Sequence, residues 1–315
     1  MSNHAGDQTG DLTQDHNPAT ATPGEPQEKL RINAFEAQTV PITPQGRALL
    51  HELTVSVFWP HRENDLEFLI AQGQGYIAVD EIGRAVGSAM RFPMGKDFAT
   101  LGMMVTPPRL QAQGGGRWLL QRIMRDCDGR DLRLNATRSG YRLYLSVGFI
   151  HVGTIYQHQG IVGTVPQPDA MPGVELMPVT LDDAPAIAQM DAEAFGADRG
   201  PLLGALIGVS AGMIAMRNGR PCGYALRRPF GKGYVLGPLV AESEEMAVHI
   251  AAPLIAQCQG KFLRVDTPSQ GQALTGFLSA AGMARFDTVT EMRIGPHRRA
   301  SEGMVTFGLA AHSLG

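Results

Sequence analysis

An α+β fold with a mixed sheet, built in two successive copies, is what the order of residues in this chain predicts. Three observations carry it. Strand-like runs at 76–79 and 85–91 turn back on each other at 80–83, which reads as an antiparallel hairpin. The stretch from Thr100 to Cys127 passes from an apolar run through a glycine-dense turn into an amphipathic helix, and a further strand follows at 132–136. After the turn formers of 167–173 a similar order recurs.

Taken in order, the residues before 76 give a helix ahead of the hairpin. Leu101, Met103, Met104 and Val105 then read as a buried strand, and Leu119, Leu120, Ile123, Met124 and Cys127 recur on one helical face. A strand at 132–136 and a helix at 139–147 close the first copy. In the second, a helix begins between Thr180 and Asp183 and reaches Phe195, followed by strands at 212–216, 222–228 and 233–240. A helix from Ser243 towards Gly260, a strand at 262–266 and a helix at 269–281 complete it. Pro253 predicts a kink or break inside its helix.

At 315 residues the chain is long enough for two cores, and 43% hydrophobic content with a net charge of -3 describes an ordinary soluble protein. No basic stripe argues for nucleic acid, and no apolar run approaches a membrane span. The polar segment 1–29 lacks the basic and apolar regions of a signal peptide and reads as a disordered tail. Cys127, Cys222 and Cys258 stand far apart in apolar contexts, as reduced core residues of a cytoplasmic protein do. The nine histidines show no metal-ligand spacing, so no metal is expected.

The glycine-dense turn carries the chemistry. Gln111, Gly114 and Gly116, with Gly115 also lacking a side chain, let the backbone come close to a pyrophosphate. The first N–H groups of the following helix then point at the anion, and Arg117 adds a charged donor. A Walker loop is excluded because no Gly-Lys-Ser/Thr follows, and a Rossmann site because the next strand reads Leu132-Arg133-Leu134-Asn135, without the acidic ribose ligand.

Pro108, Gln111, Gly114 and Gly116 spell P-x-x-Q-x-x-G-x-G, and Tyr144, Gly148 and Phe149 end the next helix as Tyr-x-x-x-Gly-Phe. In both motifs the segment resembles the GNAT superfamily of acyl-CoA-dependent N-acyltransferases. The resemblance implies tandem folds, each a central, mostly antiparallel sheet with a splayed strand pair flanked by helices. It implies acetyl-CoA as cosubstrate, with Met104 and Val105 lending backbone groups to the pantetheine and Gln111, Gly114, Gly115, Gly116, Arg117, Asn135 and Tyr144 around the cofactor. It also implies that Tyr144 protonates the departing thiolate. Trp59 to Arg62, Trp-Pro-His-Arg, looks like the motif of a bacterial subgroup that carries a second domain at its C-terminus.

The expected domains are a tail at 1–29, a catalytic domain at 30–166, a linker at 167–173 and a divergent copy at 174–315. Where the first copy has its glycines, the second has Glu242, Glu244 and Glu245, which would repel a pyrophosphate, and it has no tyrosine in place of Tyr144. Only the first copy is therefore expected to bind CoA. For the base, His61 has the most suitable ordinary pKa, with Glu63 and Asp65 as alternatives. Trp59 and Arg62 read either as a wall and carboxylate clamp for the acceptor or as a helix-ending anchor beside solvated charges. Phe195, Asp198 and Arg199 read either as a loop reaching across to the acceptor or as a surface ion pair. The expected function is acetyl transfer to a small-molecule amine, such as an amino acid, an amino acid derivative or a polyamine. A CoA-binding sensor without turnover and a protein N-acetyltransferase are the alternatives, and a homodimer is compatible with either.

Overall fold

The computed structural model describes residues 29–32 and 35–315. The first half runs β1 (Lys29–Ile32), β2 (Phe35–Pro41), α1 (Arg47–Ser56), α2 (Glu63–Gln72), β3 (Gln74–Asp80), β4 (Ala85–Met94), β5 (Phe98–Val105), α3 (Gly115–Arg125), β6 (Asp131–Ala136), α4 (Tyr141–Leu145) and β7 (Ile150–Ile161). The second runs β8 (Val174–Pro178), α5 (Ala184–Phe195), α6 (Gly200–Gly208), β9 (Ala211–Arg217), β10 (Arg220–Phe230), β11 (Gly233–Ala241), α7 (Glu244–Ala256), β12 (Phe262–Thr267), α8 (Gln272–Ala280), β13 (Ala284–Ile294) and β14 (Val305–Gly308). The expected tail lies outside the described residues except for Lys29, which opens β1.

The described strands join one sheet in the order β1-β2-β3-β4-β5-β6-β13-β7-β12-β11-β10-β9-β8, with β14 alongside β11. Two pairs run parallel, β5 with β6 and β11 with β12, and they occupy equivalent places in the two copies. The copies exchange strands. β13 of the second half lies between β6 and β7 of the first, with Glu291 opposite Asn135 and Val289 opposite Ile155. β7 in turn pairs with β12, His158 opposite Val265. The linker residues 167–173 thus separate β7 from β8 along the chain, while the sheet runs on through both halves.

Helical spacing places the helices. α3 buries Trp118, Leu119, Leu120 and Ile123 and carries Arg122 and Arg125 in its last turn, where cations suit the helix dipole. Together with α4 it covers β3 to β6, and α7 and α8 cover the strands of the second half. A third apolar layer draws on both halves: Leu50, Leu66, Phe92 and Phe98 from one, Phe195, Leu203, Tyr224 and Leu314 from the other.

Beside the strands β1, β2, β7, β8, β13 and β14, none of them expected from the sequence, two helices depart from expectation. α7 runs through Pro253 and ends three residues later at Ala256, so the missing N–H falls in the last turn, where little of the helix is left to break. α6, of sequence GPLLGALIG, has three glycines that hide it from propensity; burial of Leu202, Leu203, Leu206 and Ile207 holds it.

Candidate active site

β5 and β6 are paired from Phe98 and Asp131 to Leu101 and Leu134, and beyond that point they part. The cause is local. Met103 and Met104 of β5 stand against the single residue Ala89 of β4, a bulge in which Met103 takes a φ of +50° and its carbonyl accepts from Ser88 Oγ at 2.7 Å. Just past the parting strands, Gly114 caps α3 with a φ of +88°. A Cβ at Gly116 would stand 3.2 Å from Thr106 Oγ1 and 3.6 Å from Leu143 of α4, so a side chain there would have to displace the Thr106 hydroxyl.

The splay opens into a cavity of about 390 Å³ between the two halves. Trp59, His61, Phe68, Met104, Asn135 and Tyr144 line it from the first half, and Arg228, Phe230, Arg264, Asp266, Asp287 and His312 from the second. Its mouth is edged by the exposed rings of Phe58 and Phe286. Residues 312–313 form part of the floor, where the His312 carbonyl accepts from Asn135 Nδ2 at 2.8 Å and the Ser313 carbonyl from Thr100 Oγ1 at 2.7 Å. Three buried atoms on these walls have no partner among the described residues: His61 Nδ1, Asn135 Oδ1 and Arg228 Nε.

Burial sets the electrostatics. It lowers His61 from 6.5 to about 4; Asp65 opposes the fall, and Arg264 and Arg228 add to it. It pushes the Tyr144 phenol well up, so the hydroxyl keeps its proton. Burial alone would raise the Asp266 carboxyl, but Arg264 and His312 hold it well below the usual carboxylate range. His312 Nε2 lies 3.4 Å from Asp266 Oδ1.

The equivalent cleft in the second half is filled by the protein itself. Past Leu236 and Val265, where β11 and β12 part, β14 pairs with β11 at Leu239–Ala241. At the head of α7, Glu242 pairs with Arg217, and the Glu244 carboxylate accepts from Ser269 Oγ and from the backbone N–H of Ala273 in the first turn of α8. Two of the three glutamates that stand in place of the glycines, Glu242 and Glu244, are thus spent on the protein's own donors.

Of the residues predicted for the cofactor, Met104, Asn135 and Tyr144 line the cavity. Gly114, Gly115, Gly116 and exposed Arg117 stand at the head of α3, outside it. Gln111 is exposed and closes its own turn, donating to the Thr106 carbonyl, and Val105 is buried in the ladder opposite Ser88. Trp59 and His61 meet in the cavity, ring centroids 5.9 Å apart.

The clamp expected of Arg62 is corrected: its guanidinium is bound to Asp65 one turn into α2, at 3.1 and 3.2 Å, away from the cavity lining. Asp65 is committed in turn, accepting also from the backbone N–H of Arg62 and Gly231. The acceptor loop of 195–199 is corrected as well. Phe195 is core, Asp198 accepts from the Gly200 N–H just ahead of α6, and Arg199 is buried against Asp191 and the Leu314 and Gly315 carbonyls. Nor is it a surface ion pair, since both side chains of the Arg199–Asp191 pair are fully buried. Arg228, Arg264, Asp266 and His312 were missed. For Arg228 and Asp266 the one signal is position, at the carboxyl ends of the predicted strands 222–228 and 262–266; Arg264 and His312 carry none.

Among the described residues no helix is long and apolar enough to cross a membrane, and no cluster of His, Cys, Asp or Glu is arranged to hold a metal. Family models described as acetyltransferase (GNAT) domains match residues 52–165 and, separately, 187–306. The uncharacterized N-acetyltransferase YitH of Bacillus subtilis is 29% identical over 235 residues, 73% of this chain and 81% of its own. Among solved structures, a candidate acetyltransferase from Pyrococcus horikoshii superposes with a TM-score of 0.74 at 18% identity, over 92% of this chain and 99% of that one. A tandem GNAT protein from the clavulanic acid biosynthesis pathway does so with a TM-score of 0.57 at 13% identity, over 83% and 99%.

Proposed function

Because the chain belongs to the GNAT acetyltransferases, with one such domain in each half, we propose that it moves an acetyl group from acetyl-CoA to the amine of a small molecule. The observation that carries this reading is the open splay of β5 and β6, set between a glycine turn and Tyr144 and facing a cavity that both halves wall. The residues fit the cosubstrate: Gly114 to Arg117 present backbone N–H groups and a cation to a pyrophosphate, and the bulge at Met103 frees backbone groups for an extended chain. The second cleft, filled by β14 and Glu244, takes none, so one acetyl-CoA per chain is the stoichiometry.

The amine nitrogen attacks the thioester carbonyl, its proton leaves to a wall residue, and the C–S bond breaks as the thiolate departs. His61, held neutral down to about pH 4, is a poor proton acceptor. His312 also lines the cavity, its Nε2 standing 3.0 Å from Arg264 Nη2 and 3.4 Å from Asp266 Oδ1, and we assign it the proton. Tyr144, kept protonated by burial, donates a hydrogen bond to the departing sulfur. A cavity of about 390 Å³ suits a small acceptor better than a protein chain. Purified protein incubated with acetyl-CoA and an amine library should release thiol only with particular amines and bind one acetyl-CoA in calorimetry. Binding without thiol release from any amine would make it a sensor.

A further inference from the structure

We propose that the acceptor carries a carboxylate as well as its amine, and that Arg228 is the carboxylate's partner. The proposal rests on the acyl-transfer reading above. Arg228, near the end of β10, is 5% exposed. Of its three guanidinium nitrogens Nη2 donates to the Ala310 carbonyl at 2.9 Å, while Nε is buried with no partner among the described residues. Among the described residues no carboxylate lies within salt-bridge distance of it. Of the acids on the cavity walls, Asp65 is taken by Arg62 and the Gly231 N–H, and Asp266 by Arg264 and His312.

A buried cation with an idle donor weakens a fold unless a ligand completes it. The guanidinium carbon lies 5.1 Å from the Phe230 centroid and 5.7 Å from that of Phe68, so aromatic rings bound its surroundings and its planar donors match a flat carboxylate. A phosphate, with three acceptor oxygens, asks for more donors than one buried guanidinium supplies. Asn135 Oδ1, equally buried and unpartnered on the splay side, is an acceptor suited to an amine N–H. One molecule with both groups satisfies both atoms. A polyamine would instead set a cation against Arg228.

The test uses the full chain with acetyl-CoA, following thiol release from amino acids, their primary amides and their decarboxylated amines, with polyamines and phosphoethanolamine alongside. Acids should exceed their amides in kcat/KM by about 10- to 100-fold, as expected for a lost charge-assisted hydrogen bond. Arg228→Gln should close the gap by raising KM for the acids alone, with acetyl-CoA affinity unchanged, and Arg228→Lys should restore part of it. Thermal shifts with N-acetyl amino acids against N-acetyl amino amides give a readout free of turnover. Acid-specific shifts that Arg228→Gln removes, with no thiol release from any amine, would uphold the carboxylate site and defeat acyl transfer. Amides, decarboxylated amines, polyamines or phosphoethanolamine used as well as the acids would overturn the proposal, as would a panel in which no acid binds or reacts.

Discussion

Burial acts on two rings of one cavity in opposite senses, keeping the proton on Tyr144 and off His61. Tyr144→Phe should therefore lower kcat by about 10²- to 10⁴-fold while acetyl-CoA affinity holds, which stopped-flow turnover and calorimetry would separate. For His61 the consequence is thermodynamic. The unfolded ring takes its proton near pH 6.5 and the folded one only near 4, so its contribution to stability is complete above 6.5 and is lost as the pH falls between those values. At about 1.4 kcal/mol per pH unit that is about 3 kcal/mol, read as the difference in urea midpoints between wild type and His61→Gln at pH 7.5 and pH 4.5. Arg199 acts through the fold, holding the Leu314 and Gly315 carbonyls. Asp191 accepts from its guanidinium and from the Tyr224 hydroxyl with no solvent access, so Asp191→Ala, which strands a buried cation, should cost about 3–5 kcal/mol in denaturant titrations.

Among the elements, the end of β5 is held open by what lies against it. A side chain at Gly102 would overlap Ser313, backbone included, so Gly102→Val should push residues 312–313 out of the cavity floor and raise the acceptor KM roughly 10-fold or more, with acetyl-CoA binding retained. Equal KM values in steady-state assays would show that the floor yields without loss. Elements such as this were legible wherever the pattern was local: the strand and helix around Gly114 to Gly116 and the paired strands around Asn218 and Gly219 follow from spacing and turn chemistry. The acceptor walls were not. Arg228 and His312 reach the cavity only because β10 and the residues after β14 are brought against α2 and β5, and no sequence period records a meeting between segments that far apart. Arg62 misled for the converse reason: its partner Asp65 is three residues away and claims it first.

For the whole molecule, the exchange of β7 and β13 makes the halves one cooperative body. Both tryptophans, Trp59 and Trp118, lie in the first half, whereas ellipticity reports on all of it. Fluorescence and far-UV circular dichroism should nevertheless give coincident urea transitions, and a fragment of residues 29–166, lacking β12 and β13, should show no sharp transition until residues 167–315 are added. Two separated transitions would mean that each half stands alone. The same pairing imposes a schedule on synthesis. Ile294, the last residue of β13, is made roughly 160 residues after Ala136 closes β6, which at 5–20 residues per second is a wait of about 8 to 30 s. Through that interval the nascent chain holds out bare strand edges at β6 and β7, so the yield of native protein depends on what shields them while the ribosome is still at work.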